Sequence, residues 1–337
     1  MKLRLASFWF QVVLTAGFLV LLAWRVDISE ALQTLPNANW AWVLPGLLAF
    51  TFSKALHTAR WRLFLGNHRN VPFFGLFGIF LVHNMANAVL LLRAGDVLRI
   101  QTTSQRYSIP RSELTATVVV VETLLDGFAF ILLVGLAFGL GAIPGVLRAT
   151  FWGMAGLAFL GLVLGIACAR WLKPEHLDRV YPIRWLSDEA RSGIKSLAGQ
   201  FLDGMRALRD VRLAVPAATL GLAGWLCEAV AYWFFGHAFG LGLHFSEYLL
   251  IMMTANFAVS IPITPSGIGP YEVATQALAA GLGADPALAT GFAIGTHLTF
   301  IIWITLTGLA AMWLMRLTPD EIFYFSREEP QPQAEVT

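Results

Sequence analysis

Charge is what this sequence has least of. Asp, Glu, Lys and Arg make up 13% of its 337 residues, against roughly 25% in soluble domains. With 57% of the residues hydrophobic, that deficit excludes an ordinary soluble fold. Cysteine is nearly absent too. Cys168 and Cys227 both lie in apolar runs, where they pack as small hydrophobes and exclude a disulfide framework or zinc spacing. There is no G-x-S-x-G, P-loop, H-E-x-x-H or cysteine–histidine arrangement. No catalytic constellation is legible, no cofactor or metal is expected, and a built-in ATPase motor is argued against. A net charge of +2 gives no reason to expect nucleic acid as a partner.

What is present is long apolar runs. Val71–Leu92, Gly127–Leu147, Ala149–Ala169, Tyr248–Tyr271 and Pro286–Met315 contain no Asp, Glu, Lys or Arg, and about 20 such residues cross a 30 Å hydrocarbon core. The fold class is therefore all-α integral membrane. Ser7–Trp24, after the basic start "MKLR", has no small-residue cleavage site before Arg25 and reads as a retained first helix.

The basic residues measure the topology, because Lys and Arg collect on the cytoplasmic side. If every window spans once from an inside N-terminus, 9 fall inside and 14 outside. If 71–112 and 248–283 each enter and leave on the same side, the split becomes 21 to 2, with only Arg25 and Arg148 outside. The expectation is about six full spans plus two re-entrant broken-helix elements, or eight if those are counted as spans. Both termini are then cytoplasmic. Two span–re-entrant–span copies follow, about 40–140 and 213–316, of opposite orientation. Many secondary transporters are built this way. Asn84/Asn256 and Gly95/Gly267 share an offset of 172 residues. Between the copies, 173–212 places Ile194, Leu197, Phe201, Leu202, Met205 and Leu208 at helical spacing. That is an amphipathic cytoplasmic helix, either on the inner leaflet or packed on its own protein. The tail, 317–337, is expected to be partly disordered.

Ionisable groups at membrane depth are costly, so each is a candidate. In "RAGDVLRI", Arg93 and Arg99 frame a break containing Gly95 and Asp96. The two guanidiniums either grip a phosphate or mark the cytoplasmic interface. Glu122 and Asp126 are four residues apart, so they share one helix face. They suit a proton relay, a counter-charge for Arg93 or Arg99, or a structural ion pair. In "TPSGIGPYE", Pro265 and Pro270 break the helix, Gly267 and Gly269 allow tight backbone, and Glu272 either caps the next helix or meets an anionic headgroup. Asn84 and Asn256 are expected to bond exposed backbone near the breaks. Glu228, His237 and His297 are lone groups on spanning helices, Glu228 being the strongest functional candidate of the three. "ARWR", Ala59 to Arg62, reads as an interfacial anchor.

"ARWRLFL", "RAGDVLR", "ETLLDG" and "PITPSGIGPYE" occur in that order. Together, over about residues 5 to 316, they resemble the transmembrane region of lysylphosphatidylglycerol synthetase, a flippase-like family. The resemblance implies a lipid-moving membrane domain in the inner (cytoplasmic) membrane of a bacterium. It implies substrate-handling roles for Arg93, Gly95, Asp96 and Arg99, for Glu122 and Asp126, and for Pro265, Gly267, Gly269 and Glu272. Asp96 stands where Glu is usual, Thr123 where Arg is usual and Ser266 where Gly is usual, which puts an ion pair at Asp126 in doubt. The soluble aminoacyl-transferase domain of the full synthetases is not expected. The leading expectation is a lipid translocase, not an enzyme, whose partner is a phospholipid with an anionic or aminoacylated headgroup. A homodimer remains open. The alternatives are a proton-coupled transporter of a small anion and a non-transporting accessory subunit of a lipid-modifying enzyme.

Overall fold

The computed structural model describes residues 36–65, 71–89, 94–141, 145–173, 188–260 and 264–317. Among these there is no strand. The expected first span, Ser7–Trp24, the tail beyond Leu317, and Arg93 lie outside the described residues.

Helix α1 (Val43–Phe64) follows a short turn, Trp40–Trp42, whose Ala41 N–H is capped 3.3 Å away by Asn39 Oδ1. Two shorter helices come next, α2 (Phe73–Val89) and α3 (Ala94–Tyr107). Helix α4 (Arg111–Leu140) starts after Pro110, and its Ala116–Val121 segment is π-helical. Helix α5 (Gly145–Trp171) leads to α6 (Asp188–Gly204) and the short α7 (Arg206–Arg209). Helix α8 (Val211–Phe239) begins at an Asp210 cap and ends at Gly240, whose φ of 68° is the left-handed value glycine accepts without strain. Helices α9 (Phe245–Ser260) and α10 (Pro270–Gly281) are again short. Helix α11 (Pro286–Met315) opens with Pro286 at its first position and Asp285 accepting from Ala287 and Leu288 N–H at 2.9 and 3.1 Å.

Four of these segments are long and apolar enough to cross a membrane: Arg111–Leu140, Leu147–Trp171, Val211–Phe239 and Pro286–Met315. At 22 residues α1 is about 33 Å long, but Lys54, His57, Arg60 and Arg62 make it too polar to register by hydropathy. Helices α2, α3, α9 and α10, of 17, 14, 16 and 12 residues, are each shorter than the hydrocarbon thickness. Within the apolar window Tyr248–Tyr271 the helix gives way to a turn over 264–269, and the described helix of the window Val71–Leu92 ends at Val89, with α3 folded back against it.

The core explains the arrangement. Helix α1 lies along α8, α2 packs on α11, α4 on α5 and α9, and α10 between α9 and α11. One apolar cluster joins Phe50, Tyr232, Phe235, Tyr248, Phe292 and Phe300; another joins Trp61, Leu76, Ile79, Leu114, Val121 and Leu125. Helix α5 leaves Leu157 and Phe159 exposed on an apolar face, as a lipid-contacting helix does. In the linker, Met205 and Leu208 are buried in the second cluster while Leu197 stays exposed. Gly204 sits so close to the Glu113 carbonyl and Ala116 that a Cβ would collide there. The C-terminal end of the linker is therefore docked on the protein itself.

Candidate functional site

Lys54, His57, Arg60 and Trp61 recur every three or four residues along α1, which puts them on one face. Helix α8 meets that face with Gly221 and Gly224. A Cβ on Gly221 would come within 2.8 Å of Arg60 Nη1, and one on Gly224 within 2.9 Å of His57 Nε2. The two glycines make room for polar side chains between packed helices.

Each cation finds a carboxylate. Lys54 Nζ donates to Glu228 Oε2 at 2.7 Å; Ser53 Oγ and Asn256 Nδ2 also donate to Glu228, at 3.4 and 2.8 Å. Arg60 forms a two-pronged pair with Asp126, which also accepts from Trp225 Nε1 at 2.8 Å. Arg99, on α3, donates from both terminal nitrogens to Glu122, at 2.9 and 2.6 Å. Its guanidinium lies 3.8 Å from the centre of the Trp61 ring and 4.8 Å from that of Phe80. Three cations and three carboxylates form a formally neutral ladder linking α1, α3, α4 and α8. His57 stands among the cations, edge-on to Trp225 at 5.1 Å.

Burial sharpens the chemistry. Arg99 is 2% exposed, Arg60 3% and Glu228 2%. An isolated charge so placed would not persist, whereas forked guanidinium–carboxylate pairs satisfy most of their donors. Three donors stay unsatisfied: Arg60 Nε, Trp61 Nε1 and Arg99 Nε are buried with no acceptor among the described residues, and His57 Nε2 is buried there with no hydrogen-bond partner of either kind.

At the first break, Gly95 N donates to Asn87 Oδ1 at 2.9 Å. A Cβ on Gly95 would fall on the His83 carbonyl oxygen, so the start of α3 touches α2 only because residue 95 is glycine. Asp96 Oδ1 lies 3.4 Å from His83 Nδ1. Asn84 and Asn256 donate to carbonyls one turn back, Phe80 O at 2.8 Å and Met252 O at 3.0 Å.

The second break runs through a turn opened by Pro265. Ser266, Gly267 and Gly269 have φ values of 54°, 74° and 96°. Glu272 accepts from Gly269 N at 2.6 Å, so it does cap α10. Its other oxygen lies 2.6 Å from His297 Nδ1, and His297 Nε2 lies 3.1 Å from the Ser266 carbonyl oxygen. Tyr271 stacks on His297 at 3.9 Å and bonds to the Tyr232 hydroxyl at 3.1 Å.

The structure thus gathers Arg99, Glu122, Asp126, Glu228 and Asn256 into the ladder, and Glu272, His297 and the 265–269 turn into a second cluster. Asp126 has an ion-pair partner although Thr123 replaces the usual arginine. Sequence reasoning missed Lys54, His57, Arg60, Trp61 and Trp225. Of the "ARWR" expected to anchor at the interface, Arg62 is exposed and donates to Val71 O at 3.0 Å, whereas Arg60 and Trp61 are buried between helices. The available signal was the spacing of Lys54, His57 and Arg60 in an otherwise apolar run.

The model of the family described as "Lysylphosphatidylglycerol synthase TM region" matches residues 8–308. A glycosyltransferase named AglD, from Haloferax volcanii, is 26% identical over 324 residues, covering 85% of this chain. This chain spans about half the length of that curated relative. No solved structure matches. A match over most of the chain, on an all-helical body with four spanning segments, makes this multi-pass membrane protein a member of the lysylphosphatidylglycerol synthase transmembrane-region family.

Proposed function

We propose that this protein translocates a lipid with an anionic or aminoacylated headgroup between membrane leaflets, by alternating access around the buried ion ladder. The observation that carries the reading is the set of unsatisfied donors on Arg60, Trp61 and Arg99. Buried N–H groups without acceptors cost free energy, and a phosphate brings acceptors to all of them. The guanidinium forks of Arg60 and Arg99 fit phosphate as well as they fit carboxylate. An arriving headgroup exchanges with Glu122 or Asp126 on its arginine, so the guanidinium stays paired while the displaced carboxylate takes up a proton. Arg93, expected at the first break, meets the headgroup on the cytoplasmic side.

The order of helix lengths supports two copies. It runs 22, 17, 14 and 30 residues in α1 to α4, and 29, 16, 12 and 30 in α8 to α11. Opposed orientation of these copies in a bacterial inner membrane, with both termini cytoplasmic, provides the alternation. The glycosyltransferase name of the Haloferax relative adds glycosylated lipids to the candidate headgroups.

The test is the purified chain in liposomes containing fluorescent phosphatidylglycerol, lysylphosphatidylglycerol or phosphatidylcholine, with outer-leaflet dye quenched chemically. Translocation of one headgroup class well above the protein-free rate is expected. No acceleration of any lipid would refute the reading, and uptake of free glycerophosphate without lipid movement would replace it with a soluble-anion transporter.

A further inference from the structure

Both ring nitrogens of His297 face acceptors. Nε2 is 3.1 Å from the Ser266 carbonyl oxygen. A carbonyl has no proton to give, so Nε2 carries one. A neutral imidazole has a single N–H, so the 2.6 Å contact between Nδ1 and Glu272 Oε1 needs another proton. That proton sits either on Nδ1 facing a carboxylate or on Glu272 facing a bare nitrogen. The remaining carboxyl oxygen is taken by Gly269 N–H at 2.6 Å. His297 and Glu272 are 4% and 7% exposed, so little water is present to substitute for any of these bonds.

We infer that His297 and Glu272 form a binding site for one exchangeable proton, and that its occupancy latches the Thr264–Gly269 break onto α11. When the proton leaves for water, its bonding pair stays on Nδ1 or on the carboxyl oxygen, and the pair changes from net neutral to a charge of minus one. The Nδ1 lone pair then opposes a carboxylate at hydrogen-bond distance. Relief requires the ring to abandon Ser266 or the carboxylate to abandon Gly269, and either movement frees the turn. Ser266 is held at a φ of 54°, a left-handed value that a non-glycine residue leaves readily once released.

The groups facing the pair fit a local proton site. Tyr271 on α10 covers the imidazole and passes its hydroxyl to Tyr232 on α8. Glu228, one turn before Tyr232, is already held by Lys54. Helix α9 offers only Tyr248 beyond its first turn, where Glu247 caps His244 N. Helix α2 offers only His83, beside Asp96. His297 is the single titratable residue between Pro286 and Met315. The latch depends on the translocase reading only for its purpose, which is to tie movement of the break to a proton as coupling ion.

The experiment uses the full chain in detergent with 15N-labelled histidine, followed from about pH 5 to about pH 9. The signal removed by His297→Gln should titrate, and Glu272→Gln should move its midpoint. In parallel, Ile268→Cys is placed in a background lacking Cys168 and Cys227. Its maleimide labelling, normalised to denatured protein, should rise about tenfold as the proton leaves, since a charge-assisted hydrogen bond is lost. With His297→Gln, labelling should be fast at every pH. A His297 signal that does not titrate, or labelling that ignores its titration, overturns the latch. If either substitution prevents folding, the labelling profile of the otherwise native chain still decides. Neither readout involves lipid, so a titrating latch in a chain that moves no lipid would refute the translocase reading alone.

Discussion

Arg99 and Glu122 should be far more costly to remove singly than together. Arg99 is 2% exposed, its two terminal nitrogens bond Glu122 at 2.9 and 2.6 Å, and its guanidinium lies against Trp61. Glu122→Met leaves that guanidinium buried and uncompensated, a loss of about 3–5 kcal/mol. Arg99→Met strands the carboxylate instead at a similar cost, and forfeits up to about 2 kcal/mol of cation–π attraction. The double variant restores the desolvation cost of both ions. It should lie within about 1 kcal/mol of the native chain or exceed it. The cycle should therefore give a coupling energy of at least about 5 kcal/mol, well above the ~0.5 kcal/mol seen between independent sites. Tryptophan fluorescence during denaturant unfolding in mixed micelles measures all four corners. Additive losses would show that the pair is solvated and the ladder reasoning wrong. The double variant also separates structure from transport: it should fold and fail to move lipid. Full translocation by a stable double variant would reduce the ladder to scaffolding.

Gly95→Ala should cost about 1–3 kcal/mol, because its Cβ would strike the His83 carbonyl and come within 2.6 Å of Asn87 Oδ1; thermal unfolding of the pure protein checks this. Trp225→Phe removes the indole donor 2.8 Å from Asp126 and should cost about 1.5–3 kcal/mol, seen as the same fall in unfolding free energy. Ser266→Gly should raise Tm, since relief of a left-handed serine, about 1–2 kcal/mol, exceeds the added chain entropy of glycine, about 0.5–1 kcal/mol. Because glycine holds that left-handed value without strain, it should also slow labelling at Ile268→Cys.

The membrane character and the two interruptions were legible because they rest on composition and on proline and glycine, which act locally. Glu122 and Asp126 were legible as a pair because one helix fixes their spacing. Their partners were not. Arg60 lies 66 residues from Asp126, and nothing in "ARWR" separates a guanidinium at the membrane surface from one buried between helices. The difference lies in Gly221 on α8, which becomes informative only once α1 and α8 are known to touch. Asn84 and Asn256 carry a weaker signal for a local reason: a mid-helix asparagine can donate to the carbonyl four residues back, as both do, so its position near a break says little about what it bonds. Glu272 was left between cap and ligand because each role uses a different oxygen, and the structure shows both oxygens engaged.

The π-helical segment just before Glu122 bears on how such a site can change over evolution. Glu122 N–H closes on Thr117 O, five residues back rather than four, so α4 carries about one residue more than an unbroken α-helix would need there. The wide turn absorbs that surplus, so the end of α4 docked under Gly204 and the face bearing Glu122 and Asp126 keep the relation of an α-helix one residue shorter. Deleting one residue of Ala116–Val121 should close the turn and keep the carboxylates on Arg99 and Arg60, whereas adding one there would swing them off by about 100°. The alignment of acid with base is thus stored as a count of residues, where a search for particular amino acids does not see it.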